Sequence, residues 1–130
     1  MLEIERREER TIFEQMFINC YPDIIKDNQS LVEEVASYIK ENCHKQLTLK
    51  KLAEYAGKTP EQLSYLFKRH LDIRPVDYVI QCRLEKAVKL LQYEEYSVQE
   101  VAKEVGYADP LYFSRLFKKH LGCAPSSIKR

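Results

Sequence analysis

Twice in this chain a glycine that can end a helix is followed, within four residues, by a pair that can start the next one. The first instance is Gly57, then Thr59-Pro60; the second is Gly106, then Asp109-Pro110. Glycine enters the left-handed conformation that terminates helices, while Thr or Asp caps a new N-terminus and proline suits the first helical position. The flanking text repeats as well. LKKLAEYAGKTPEQLSYLFKRHL at 49–71 parallels VQEVAKEVGYADPLYFSRLFKKHL at 98–121, and both lead to a proline, Pro75 or Pro125. Gly57 matches Gly106 at an offset of 49, but Thr59 matches Asp109 at 50, so the second turn holds one extra residue. A helix, a tight turn and a capped helix, written twice, predict two helix-turn-helix units.

The segments between the repeats read as helices too. Ser30 with Glu33 has the capping-box spacing, opening a helix to about Asn42 with Val32, Val35, Ala36, Ile39 and Cys43 on one face. Pro75 opens a long helix to about Gln92, with Val76, Val79, Ile80, Leu84, Ala87, Val88 and Leu91 as one apolar stripe. Ser97 with Glu100 caps the second unit. Residues 2–19 also carry a helical face, Ile12, Phe13, Met16 and Phe17, before Tyr21-Pro22 and Asp27-Asn28 break the pattern. The expected fold is all-α, with about seven homeodomain-like helices. Two helix-turn-helix lobes, at about 30–74 and 97–130, flank a linker helix at 75–92. Residues 1–29 form an acidic helical linker or the tail of an upstream domain.

Charge divides along the same line. Residues 1–43 hold five Lys/Arg against ten Asp/Glu, and residues 44–130 hold sixteen against ten. An acidic start followed by a basic remainder points the latter towards nucleic acid. No apolar run has membrane-spanning length and MLEIERREER is charged, so a cytoplasmic protein without membrane contact is expected. Cys20, Cys43, Cys82 and Cys123 stand far apart and read as reduced, buried or incidental thiols. No nucleophile–base set, metal-ligand spacing or phosphate-cradling glycine loop is present, which argues against an enzyme and calls for no cofactor.

VAKEVGYADPLYFSRLFKKHLGCAP resembles the signature of AraC/XylS-type transcription regulators. RLEKAVKLL is similar to their linker helix, and LAEYAGKTPEQLSYLFKRHLDIRP to their first helix-turn-helix. The resemblance covers about residues 31–130. It implies seven helices in two lobes, each setting one recognition helix into the major groove of duplex DNA. By position in the family motif, Glu61, Ser64 and Tyr65 are the base-contacting candidates of the first lobe, although many members carry arginine where Tyr65 stands. Leu111, Ser114 and Arg115 point outward near the start of the second recognition helix, and an arginine can bond guanine O6 and N7.

Phosphate contacts are expected from Lys68, Arg69, Lys118 and Lys119, and from the helix starts at Thr59 and Asp109, where free amides attract anions. Leu63, Leu66 and Phe67, and Phe113, Leu116 and Phe117, should face inward. Arg83, among apolar neighbours, reads as a bridging structural residue. His70 and His120 suit helix C-terminal capping as partly charged imidazoles. Duplex DNA is the expected partner, with RNA polymerase a second candidate and an upstream sensor or receiver domain missing from this chain. The competing readings are a helical protein-interaction module that has lost its DNA contacts and an RNA binder. The buried spacing of the aromatics counts against the latter.

Overall fold

The computed structural model describes residues 22–128 apart from residue 94, with side chains from Asn28 onward. Seven helices follow one another among the described residues: α1 (Pro22–Asn42), α2 (Leu49–Ala56), α3 (Pro60–Leu71), α4 (Pro75–Leu91), α5 (Val98–Glu104), α6 (Pro110–Leu121) and α7 (Pro125–Ile128). The helical face at 2–19 lies outside the described residues. α1 corrects the expected start at Ser30, because it begins at Pro22 and runs through Asp27-Asn28 without a break. Proline fits a first helical turn, and Asp and Asn are only weakly unfavourable inside a helix. Asn28 is itself buried within it.

The caps act largely as the sequence implied. The Thr48 hydroxyl accepts from the Lys51 amide, and Gly57 ends α2 in the left-handed region at φ 68°. Ser97 accepts from the Glu100 amide, although the Ser97 hydroxyl itself donates to the Glu100 carboxylate instead of completing a reciprocal box. The complete box lies at α3, where the Gln62 amide donates to Thr59 and the Gln62 side chain accepts from the Thr59 amide. α5 stops one residue earlier than Gly106 implied, with Val105 as its last cap and Gly106 following at φ 104°.

Each lobe has its own core. Val32, Val35, Ile39, Leu52, Leu63 and Phe67 fill the first, joined by Val79 and Cys82 of α4. Val101, Val105, Tyr107, Phe113 and Phe117 fill the second, joined by Leu84, Ala87 and Leu91 of α4. Leu116 is only half-buried against it. The single stripe expected along α4 is therefore two faces. At 3.6 residues per turn, Val79 and Cys82 centre on a different face from Leu84, Ala87 and Leu91. Val76 belongs to neither and is exposed. α4 is a strut shared by both lobes, so α3 and α6 are referred to the same helix.

Among the cysteines, Cys43 and Cys82 are buried and Cys123 is half-buried, all three unpaired, while Cys20 lies outside the described residues. Burial pushes the Cys82 thiol up to about 11, reinforced by Cys43 and Glu85. No described helix is long and apolar enough to cross a membrane.

Candidate nucleic-acid interface

α3 and α6 are built alike. Each has 12 residues, a proline at its start, a core-facing pair of large apolar residues and cations in its last turn. Burying Phe67 and Leu63 on one side of α3 leaves Glu61 exposed and Ser64 and Tyr65 half-buried on the other. On α6, burial of Phe113 and Phe117 leaves Leu111 and Arg115 exposed and Ser114 half-buried. The two candidate sets share one spacing. Positions i, i+3 and i+4 of a helix are neighbours on its surface, so each trio forms one patch near its helix start. Tyr65 departs from a freely outward side chain because it packs against the first core. Leu111 is 70 % exposed and Tyr112 54 %, an apolar pair displayed in the first turn of α6.

The helix starts are partly taken up by their own caps. The Thr59 and Gln62 amides are engaged in the capping box at 3.0 and 3.2 Å. At α6 the Asp109 carboxylate accepts from the Leu111 amide at 3.0 Å. A phosphate at either start would share the first turn with a side-chain cap, and at α6 that cap is a carboxylate.

The cations after the two recognition helices also divide. Lys68 Nζ lies 3.2 Å from the Asp72 carboxylate, in an exposed pair across one helical turn. Asp72 holds the left-handed cap of α3 at φ 56°, where the equivalent cap of α6 is Gly122. Lys118 and Lys119 are exposed and make no ion pair among the described residues. Arg69 is exposed on α3. Arg74 pairs with Asp77 at 3.1 Å. The second lobe thus presents the less encumbered positive edge.

His70 corrects the expected charged cap. Burial, and then the neighbouring Arg69, hold its imidazole below the ordinary value, against a smaller opposing pull from Glu33. His120 is exposed at the end of α6.

Arg83 is the buried arginine between the lobes, only 7 % exposed. Its Nε donates to the Cys43 carbonyl and its Nη2 to the Lys45 carbonyl at 2.6 Å, which satisfies acceptors just beyond the carboxyl end of α1. Its guanidinium carbon lies 4.8 Å from the centre of the Tyr107 ring in the second lobe. The bridging role read from the sequence is therefore what the structure displays. Tyr107 is a packing aromatic, in a chain of tilted rings with Phe113 and Phe117 at 5.7 Å centroid steps. Its hydroxyl is buried without a partner in hydrogen-bonding geometry among the described residues. Burial raises its pKa, and the nearby Arg83 pulls the other way.

A helix-turn-helix domain family matches residues 52–130, which takes in the turn of the first unit and the whole of the second. The chain belongs to the AraC-type helix-turn-helix family. Among family members, it is 35 % identical over 94 residues to the raffinose operon transcriptional regulatory protein RafR of Pediococcus pentosaceus, covering 72 % of this chain and 34 % of that protein. The chain spans about a third of the length of the curated relatives it matches.

Two solved members share the fold. The C-terminal domain of AraT, a response regulator from Geobacillus stearothermophilus, superposes with a TM-score of 0.73 at 35 % identity, covering 77 % of this chain and 84 % of that one. The DNA-binding domain of AdpA, a global transcriptional factor solved in complex with a target DNA, gives 0.70 at 28 %, covering 74 % and 86 %.

Proposed function

We propose that this chain is the DNA-reading part of a bacterial transcription regulator, binding duplex DNA sequence-specifically with α3 and α6 in successive major grooves. The observation that carries this reading is the repeated display of one patch, at i, i+3 and i+4, on two recognition helices fixed to a single strut. α4, at 17 residues, spans roughly 26 Å at 1.5 Å per residue. With the lobes added, two helices can serve grooves about 34 Å apart on one face of the duplex.

Roles follow from chemistry. Arg115 reads guanine bidentately, Leu111 packs on a thymine methyl, and Ser114 bonds a base edge or phosphate. Glu61 accepts from cytosine N4, while Ser64 and the core-braced Tyr65 set the first helix in its groove. Lys118, Lys119, Lys68 and Arg69 neutralise phosphates. Thr59 and Asp109 act chiefly as caps that hold their helices in place. The second lobe is the more discriminating of the two, because its Arg115 is exposed and its Lys118 and Lys119 make no ion pair among the described residues.

A sensor or receiver domain upstream, with residues 1–29 as its tail or stalk and residues 30–130 as the DNA-binding domain, fits the family. So does RNA polymerase as a second partner, in the cytoplasm.

The test is a titration of the chain into a labelled duplex at several salt concentrations. With about six phosphate contacts, log K should fall against log salt with a slope near −5. Binding that is absent at low salt, or that does not change with salt, would contradict the proposal.

A further inference from the structure

We infer that Arg83 is a positioning residue that fixes how far apart, and at what rotation, the two recognition helices meet DNA, so that it sets the spacing between the two half-sites the protein accepts. This rests on the duplex-binding reading above.

Arg83 cannot itself reach DNA. Its side chain is buried, its Nε and one Nη nitrogen are bonded to protein carbonyls, and its plane lies near an aromatic ring. A buried guanidinium is costly unless its donors are satisfied, and here the partners come from two different lobes. The carbonyls of Cys43 and Lys45 follow the end of α1, which frames the first lobe. Tyr107 lies in the turn that leads into α6. The arginine stem belongs to α4, so one side chain ties both lobes to the strut.

A second observation closes the same junction. Gly106 lies so near the His44 carbonyl that a Cβ there would sit 2.6 Å from the oxygen and 3.1 Å from the Arg83 guanidinium carbon. Gln46 reaches the Gly106 carbonyl with a longer bond of 3.4 Å. The lobes are thus in contact through backbone as well as through Arg83.

The two cores occupy different faces of α4 and share no buried residue between them. Core packing holds each lobe together separately, while the Arg83–Tyr107 and His44–Gly106 contacts join the first lobe's frame to the turn before α6. Each base pair added between half-sites rotates the second site by roughly a tenth of a turn. A fixed junction should accept one spacing and reject its neighbours. A loosened junction should accept several. Lysine cannot replace the planar fork, because it offers a point charge in place of two parallel donors and a stacking plane.

The experiment uses the full chain on duplexes carrying both half-sites recovered by selection, with the intervening length changed by one or two base pairs either way. Wild type should favour one length over its neighbours by tenfold or more. Arg83→Met should bring that ratio below about threefold while a duplex with a single half-site is bound as well as by wild type. Arg83→Lys should fall between. If Arg83→Met does not fold, Tyr107→Leu keeps the bonds to Cys43 and Lys45 and removes the ring contact, and it should broaden the accepted lengths in the same way.

An unchanged preference in a folded Arg83→Met, or in Tyr107→Leu where Arg83→Met does not fold, would overturn the inference. So would wild type that binds duplex with no preferred length, and in both cases the duplex-binding reading would stand. Wild type that binds no duplex at all would remove that reading and this inference together.

Discussion

Gly106 in the second lobe rests against the His44 carbonyl of the first, with no room between them for a Cβ atom. The contact makes two glycines that look alike in sequence unequal in the fold. Gly57 and Gly106 each stand in a turn of a helix-turn-helix and both have positive φ, yet Gly57 has nothing within 4 Å of its would-be Cβ.

Substitution should separate them. Gly57→Ala carries only the left-handed backbone penalty, about 1–2 kcal/mol. Gly106→Ala adds overpacking against backbone, for about 2–5 kcal/mol in all. Urea denaturation of both variants measures the difference, and equal losses would mean that the junction yields easily.

Thr59→Ala removes the hydroxyl that accepts from the Gln62 amide and should cost about 1 kcal/mol. Gln62→Ala should cost less, because the Thr59 amide it leaves behind is exposed to water. Thermal melts check both, and a larger loss for Gln62→Ala would reverse the assignment of the box.

The two cores predict which substitutions unfold the protein. Phe67→Ala and Phe117→Ala each empty a fully buried site, one per lobe, and should cost about 3–5 kcal/mol. Leu111→Ala, at a 70 % exposed position, should change stability by less than about 0.5 kcal/mol while weakening duplex binding.

His70 gives a pH dependence with a definite sign. Its folded pKa lies below the ordinary 6.5 because of burial and Arg69, with Glu33 opposing. The unfolded chain therefore binds this proton at higher pH than the folded one. Stability from His70 is full above about pH 6.5 and is lost as pH falls through the window below it. His70→Gln should lose less stability between pH 7 and 5 than wild type. A steeper loss in the variant would contradict the sign.

Much of this fold was legible in the sequence because its punctuation is chemical. Gly57, Thr59-Pro60, Ser97 and Asp109-Pro110 mark helix ends for local reasons, and the inward sets around Phe67 and Phe113 follow from helical period. What escaped were features that depend on the backbone of distant segments. The apolar residues of α4 read as one stripe because its two faces separate only when each has its own lobe to meet. Ser30-Glu33 imitates a helix start inside α1, and only the backbone, helical from Pro22, shows that the chain is already helical there. The His44 contact involves a carbonyl, which no side-chain pattern records. Of the candidate interface, Leu111, Ser114 and Arg115 were readable from spacing, while Glu61, Ser64 and Tyr65 came from the resemblance to the family motif. The pairing of Lys68 with Asp72, and the reciprocal bond from the Thr59 amide to the Gln62 side chain, needed coordinates.

The central claim is that each lobe places one helix in one groove. The most direct measurement is selection of bound duplexes from a randomised library, run in parallel with wild type and Arg115→Ala at one moderate salt concentration. Two short motifs about one helical turn apart are predicted. The motif read by the second lobe should lose its preference in Arg115→Ala, by about 1–3 kcal/mol at one position. No enrichment in either pool, with no binding even at low salt, would contradict the account.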